Sequence, residues 1–487
     1  MVKKTAGQAL RRVTEGDFFT CSIALSVVVI GLLGWSFWDE IVCIACVYLA
    51  LKHVLHSLYT AFLDSILVMA RNLLGSALPE PDKGKEASRK QSAHVKGEQK
   101  QMDPTTMVVV CLVIATALIF DFTNGFHDTA NAMATSIATG ALRPKTAVMA
   151  AGTLNLIGAF LSTEVAKTIS GGIINEQVVT IAPAFILAGL IGAILWNLIT
   201  WLVGLPSSSS HALFGGLVGA VIVGAGVEGV NFGAVLTKVL IPALVSPVVA
   251  GLAAFVAVKL IYRIVKGMSE SQIDNGFRHG QTITACLVAL SHGTNDAQKT
   301  MGIITLTLIA TGFQPSGTGP ELWVVAICGF SIALGTYMGG WRVIRTLGKG
   351  LTEISTPQGF AAEAASATTI LVSSHLGFAL STTQVCSGSI IGTGLGKKGN
   401  EVNWGVAARM LVAWLVTFPC AGMMGALACA LAKTGIWGTA AVVVIACIAA
   451  VIIFALSKRN PVNSKNVNEA KTVKVTAIPS PSMAQAA

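Results

Sequence analysis

Long apolar runs recur along the chain, separated by short polar connections, and their lengths define the elements. Runs at 18–38, 41–61, 181–203, 232–260, 322–341, 404–432 and 437–456 come close to or exceed the roughly 20 residues that a helix needs to cross a hydrocarbon core. Others, at 107–120, 146–162, 212–225, 282–290, 301–311, 361–373 and 389–395, are shorter, and several cannot span alone. Together they predict an all-α polytopic membrane protein with discontinuous helices and about 12 crossings. The run at 18–38 is too long and too aromatic for a secretion signal, and no small-residue cleavage pattern follows it, so it reads as a retained anchor.

Composition agrees with lipid as the solvent. Hydrophobic residues make up 53% of the chain and charged ones only 11%, with a mean hydropathy of +0.71. Globular domains run near a quarter charged. The net charge of +10 does not indicate nucleic acid, because Lys and Arg sit in short loops and at the termini, with no continuous basic stretch interleaved with aromatic residues. Arg263, Lys266 and Arg278 fall in one connection and Arg342, Arg345 and Lys349 in another, whereas 312–321 has no Lys or Arg. The basic connections are therefore expected on the cytoplasmic side of the plasma (inner) membrane. Lys3, Lys4, Arg11 and Arg12 before the first run, with Asp39 and Glu40 after it, favour an inside start. The ten cysteines are scattered, and the close pair Cys43 and Cys46 lacks further ligands at zinc spacing, so packing is expected and no metal site.

The composition changes abruptly after the second run. Pro79, Pro81 and a mixture of Lys, Glu, Gln, Ser and Arg cannot form a buried core. The expected organisation is an N-terminal two-helix membrane unit at 1–74, a flexible polar linker at 75–104, a first repeat at 105–262, a cytoplasmic connecting loop at 263–280, a second repeat at 281–457, and a disordered tail at 458–487.

The repeats are visible as two polar motifs that recur in the same order. Asn124-Gly125-Phe126-His127-Asp128-Thr129-Ala130-Asn131 is matched by His292-Gly293-Thr294-Asn295-Asp296-Ala297-Gln298-Lys299. Ser208-Ser209-Ser210-His211 is matched by Ser381-Thr382-Thr383-Gln384, and each is followed by a Gly-x-x-x-Gly pair, Gly215 with Gly219 and Gly388 with Gly392. The separations nearly agree, 81 residues from Asp128 to Ser209 and 86 from Asp296 to Thr382. Such duplication is typical of transporters built from internal repeats.

A carboxylate in an apolar run is costly without a partner, so Asp128 and Asp296 point to an ion path; capping a helix is the plainer alternative. Amide side chains stand close by, Asn124 and Asn131 in one motif and Asn295 in the other. Four serines after Gly204-Leu205-Pro206 exceed what one cap needs, and the helix after such a break directs free N–H groups and a positive dipole end at the bundle, which favours an anion. Two such starts facing each other across a pseudo-two-fold axis would surround a tetrahedral oxyanion with neutral donors. The glycine pairs are assigned to helix packing. Pairing with Asp296 is the preferred role of Lys299, and His127 and His211 are candidate proton carriers or hydrogen-bond partners in equal measure.

At these residues the chain resembles the inorganic phosphate transporter (PiT) family, bacterial low-affinity type, over about residues 107–457. The stretches at 125–132 and 291–296 look like the family's two signatures, and Trp196-Asn197, Thr200-Trp201, Gly204-Leu205-Pro206, Gly340-Trp341-Arg342 and Ser381-Thr382-Thr383 also match. The resemblance implies an inverted-repeat transporter that moves inorganic phosphate with a coupling cation, and no enzyme. The bacterial form of the first motif favours protons, with the phosphate carried as a neutral complex with a divalent metal as one option. By the same resemblance, Ser208, Ser209, Ser210, Ser381, Thr382, Thr383, Asn124, Asn131 and Asn295 would bind substrate and Asp128 and Asp296 would serve the cation; His127 and His211 join the cation-coupling group on their own chemistry, not on the resemblance. No resident cofactor is implied, and homo-oligomerisation is left open. The second hydroxyl motif departs from the family pattern. Ala379-Leu380 stands where a Pro is usual, which weakens the expected helix break, and Gln384 replaces a His, which leaves His211 without a counterpart. Rival readings are sodium coupling, a carrier or channel for another oxyanion such as sulfate, and a membrane enzyme acting on lipid phosphates.

Overall fold

The computed structural model describes residues 104–174 and 182–469. The expected two-helix unit, nearly all of the linker, and the tail from 470 lie outside the described residues. Within them the regular structure is helical, apart from two isolated bridges. The first six helices are α1 (Pro104–Thr139), α2 (Pro144–Ala159), α3 (Glu164–Gly172), α4 (Pro183–Val203), α5 (Ser209–Ala225) and α6 (Phe232–Ile264). The next six are α7 (Glu270–Ala310), α8 (Leu322–Met338), α9 (Trp341–Gly350), α10 (Thr356–His375), α11 (Thr382–Gly396) and α12 (Trp404–Ala432). A last helix, α13 (Ile436–Ser457), follows them.

The two sets correspond one to one. In each, a long motif-bearing helix precedes a bent pair, with α2 and α3 at 64° and α8 and α9 at 60°, and the sixth helix carries an internal proline, Pro247 or Pro419. The equivalent helices α1 and α7 run antiparallel. Thr139, at the end of α1, donates to Gln281 near the start of α7 (2.9 Å), while Asn124 further back meets Asp296 further on (3.3 Å). The repeat is therefore inverted. The centre of the molecule is α7, in which every residue from Ser291 to Leu308 is buried.

Glycines let the repeats exchange partners. Gly125 of α1 abuts the Ile332 carbonyl of α8, and its counterpart Gly293 of α7 abuts Asn155 of α2. Likewise Gly215 and Gly219 of α5 lie on Phe418 and Gly422 of α12, and Gly388 and Gly392 of α11 lie on Pro247 and Gly251 of α6. A Cβ at any of these positions would meet backbone of the other repeat, so the Gly-x-x-x-Gly pairs are packing surfaces.

The outer faces of α6, α12 and α13 are apolar and uncovered; Leu427 is 73% and Val451 68% exposed. Faces of this kind on successive long helices belong in lipid, and the protein is a multi-pass membrane protein. Among the described residues five helices are long and apolar enough to cross, or seven if each bent pair is one span. The expected count of about 12 is not confirmed, and two of its runs, 18–38 and 41–61, lie outside the described residues. Within the described residues the aspartate motifs do not interrupt helices: the runs at 282–290 and 301–311 belong to the single helix α7, and the first motif continues α1. Polar side chains are tolerated there because they find partners within and between helices, as Thr129 does on the Gly125 carbonyl of its own helix and the Thr336 carbonyl of α8.

Two boundaries also differ from expectation. Helix α7 begins at Glu270, after the Ser269–Gln272 capping box, so most of 263–280 is helical. Residues 458–469 pack back on the body, with Val467 buried and Arg342 and Arg345 donating to the Asn460 and Asn466 carbonyls, because polar composition does not prevent a segment from docking on fixed donors. The basic connections gather at one end. Lys349 donates to the Ala138 carbonyl at the end of α1 (2.9 Å), and Arg342 to Leu202 at the end of α4 (3.0 Å).

Candidate functional site

Two helix breaks aim α5 and α11 at the middle of α1 and α7. Helix α4 stops at Gly204, in the left-handed region at φ +69°, and Pro206 cannot continue it. In the second repeat Gly377, at φ +72°, does the same work without a proline. Gly204 and Gly377 stand at the same remove from their caps. The caps have nearly the same backbone, Ser208 at φ −93°, ψ 106° and Ser381 at φ −88°, ψ 106°. The break expected to be weakened by the missing Pro is therefore present.

The hydroxyl motifs divide their labour by position. The first hydroxyl caps its helix: Ser208 accepts from the His211 N–H (3.2 Å) and Ser381 from the Gln384 N–H (3.4 Å). The second reaches the aspartate of its own repeat. Ser209 donates to Asp128 Oδ2 (2.7 Å) and Thr382 to Asp296 Oδ2 (3.3 Å). The third crosses between repeats, Thr383 donating to Asp128 Oδ1 (3.3 Å) and Ser210 to the Leu380 carbonyl (3.1 Å) while accepting from Lys299 Nζ (2.6 Å). Asn131, at the position equivalent to Lys299, donates to Thr382 (3.2 Å) and Thr383 (3.0 Å). Each motif helix thus holds the hydroxyls of the other half.

Both aspartates lie deep inside their helices, so neither is a cap. Asp296 pairs with Lys299 Nζ at 2.5 Å, accepts from Asn124, and has His292 Nε2 at 3.3 Å. Asp128 has His127 Nδ1 at 2.5 Å, and that ring's other nitrogen is 3.5 Å from the Ser207 hydroxyl. All of these groups are buried. One ligand atom from each of Asp128, His292 and Asp296 falls within 4.8 Å of the others, a spacing that can seat a cation. The structure therefore brings together Asn124, His127, Asp128, Asn131, Ser209, Ser210, Asp296, Thr382 and Thr383, with Ser208 and Ser381 as the caps.

Two expected residues stand apart. Asn295 turns toward the α10–α11 break, donating to Ser374 (2.9 Å) and the Phe378 carbonyl (3.4 Å), and so holds that break. His211 has no hydrogen bond on either ring nitrogen; it packs against Phe418 and, with Gln384, lines an apolar cavity of about 760 Å³ between α6 and α12. His292 was missed, although it occupies the repeat position of Asn124. Glu363 of α10 was also missed: its buried carboxylate takes Thr135 (2.6 Å), Ser136 (2.7 Å), Thr284 (2.7 Å) and Gln281 (3.2 Å), binding α1, α7 and α10 together. The signal available for it was a lone acid inside an apolar run.

The division of labour makes a direct test. Ser208→Ala should cost about 1 kcal/mol of stability and leave the half-saturating substrate concentration unchanged. Ser209→Ala removes a charge-assisted bond worth about 1.5–3 kcal/mol and should raise that concentration about tenfold. Substrate uptake over a concentration series, beside thermal melting of both variants, separates the two roles.

The chain is similar to known proteins in sequence and in fold. A family profile described as "Phosphate transporter family" matches residues 124–425. A "Probable low-affinity inorganic phosphate transporter" of Mycobacterium bovis is 53% identical over 365 residues, 74% of this chain and 87% of that protein. A protein of the same description from Bacillus subtilis is 40% identical over 322 residues, 66% of this chain and 96% of that one. A solved structure titled "The sodium-dependent phosphate transporter" superposes with a TM-score of 0.62 at 26% identity, covering 67% of this chain and 100% of that chain. With inverted repeats, two hydroxyl-bearing helix starts and a profile match over most of its length, this chain belongs to the phosphate transporter family.

Proposed function

We propose that this protein is a secondary active symporter that carries inorganic phosphate with protons, by alternating access between its two inverted repeats. The observation that supports this is the pair of bonds from Ser209 to Asp128 and from Thr382 to Asp296. A hydroxyl has one proton to donate. Phosphate entering between the two helix starts competes with the carboxylates for the same donors, and its negative charge arrives beside theirs. Lys299 offsets one charge; the remainder must be met by a proton or a metal cation arriving with the phosphate. Coupling then follows from shared donors.

Phosphate suits this site better than sulfate does. Hydrogen phosphate retains an O–H that can donate to Asp128 or Asp296, while sulfate at neutral pH presents acceptors alone. A neutral complex of hydrogen phosphate with a divalent metal would lower the crossing cost further. The exchanged helices form two bodies, one of α4, α5 and α12 and the other of α6, α10 and α11, each carrying one hydroxyl start. Rocking one against the other would expose the site to each side in turn.

Sodium coupling is the second reading. It is favoured by the solved structure's title and by the Asp128, His292 and Asp296 cluster. Proteoliposomes given either a pH gradient or a sodium gradient decide between the two. Phosphate should accumulate with the pH gradient alone; accumulation with sodium alone would discard the proton reading.

A further inference from the structure

Asp121 lies on α1, on the face that also carries Asn124, Asp128 and Asn131, since these positions follow helical spacing. It is fully buried, and neither carboxyl oxygen has a hydrogen-bond partner. Thr300 of α7 faces it without an aligned bond, and the Thr300 hydroxyl has no other partner. Glu363 shows how this fold satisfies a carboxylate meant to stay ionised: four donors converge on it. No such set surrounds Asp121. A buried carboxylate that faces one unaligned hydroxyl and has no counter-charge in contact carries nearly the whole cost of its desolvated charge, and a bound proton removes that cost.

The position is as informative as the isolation. Seven residues separate Asp121 from Asp128, about 10 Å along the helix, in the direction away from the basic connections. The positive-inside rule puts those connections in the cytoplasm, so Asp121 lies on the outer side of the paired aspartates. The titratable groups that face it are Asp296 and Lys299 of α7 and the Cys328 thiol of α8. Helix α4, which also packs on α1, has no titratable side chain, and the one on α2 is Lys145 at its start.

We propose that Asp121 is the group that binds and releases the coupling proton, one step outside the phosphate and cation site. This rests on the proton-coupled reading above and assigns its proton to a residue. From the outer side, Asp121 takes up a proton and becomes neutral, which permits the closed state in which it has no partner. When the inner side opens, the carboxyl O–H bond breaks and the proton passes to water. The carboxylate left behind is solvated by that water, with the Lys299 ammonium as the nearby positive charge.

The test uses the full chain in proteoliposomes with two assays, pH-driven accumulation of labelled phosphate and phosphate counterflow without a gradient. Wild type is expected to show both. Asp121→Asn should keep counterflow within about twofold and lose at least tenfold of the pH-driven accumulation. Asp121→Glu should retain accumulation with a displaced pH midpoint, and it serves where the amide variant does not fold. If Asp121→Asn accumulates phosphate as wild type does, or Asp121→Glu leaves the pH profile unmoved, the assignment is overturned while proton coupling stands. Loss of counterflow in a folded Asp121→Asn overturns it too, by placing Asp121 in the binding machinery. Wild type that ignores the pH gradient removes the proton reading itself, and the assignment with it.

Discussion

Asp296→Asn is expected to abolish phosphate uptake and to destabilise the protein, whereas Asp128→Asn should abolish uptake with little loss of stability. The difference lies in the neighbours. Lys299 is fully buried and ion-paired with Asp296, so removing that charge leaves an ammonium in the core with only Ser210 and an amide in hydrogen-bond contact. Breaking a buried pair in this way costs about 3–5 kcal/mol. Asp128 is held by Ser209, Thr383 and His127, which can hydrogen-bond to an amide as well. Adding Lys299→Met to Asp296→Asn should restore most of the melting temperature without restoring transport. Uptake in vesicles and thermal melting in detergent read the two effects separately; equal stability of the two Asn variants would show that Lys299 does not depend on Asp296.

Gly219→Ala and Gly392→Ala should each weaken the protein by about 1–3 kcal/mol, as overpacking does. In both, the new methyl would collide with backbone of the other repeat, at the Gly422 and Gly251 carbonyls. These carbonyls belong to long helices and cannot withdraw as a side chain could. Because the contacts are related by the internal symmetry, similar losses are expected at the two sites. Gly171→Ala on α3 is the control of opposite sign: nothing lies within 4 Å of its added methyl, and a helical Gly→Ala change gains about 0.5–1 kcal/mol. Melting curves of the three variants test the set, and a neutral Gly219→Ala would refute close backbone contact there.

Much of this was legible in the sequence for one reason: the duplication presents each functional position twice. Two aspartates and two hydroxyl triplets at similar separations imply a shared cavity before any coordinate is seen, and the structure joins Ser209 to Asp128 and Thr382 to Asp296. Hydropathy was a poorer guide to helix boundaries. It splits α7 at the second motif because His292, Asn295, Asp296 and Lys299 depress the local average, although their backbone continues the helix. Equivalence between the repeats carries further information. Aligning the motifs places His292 opposite Asn124 and Lys299 opposite Asn131, which would have brought His292 into the site. The roles of His211 and Asn295 depend on which way a side chain turns from a correctly located helix, and spacing carries no such information. Asp121 and Glu363 differ only in what surrounds them, and that too becomes visible once the chain is folded.

The exchange of helices between the halves bears on how the molecule is made. Helix α5 emerges from the ribosome early, but the groove that receives its glycines belongs to α12, near the end of the chain. N-terminal parts ordinarily fold first during synthesis. Here the early half has no finished seat for its own binding helix, so it must wait in the bilayer, unsealed, until translation is almost complete. Separately produced halves should accordingly be unstable alone and become functional together, once one has inserted upside down relative to the other.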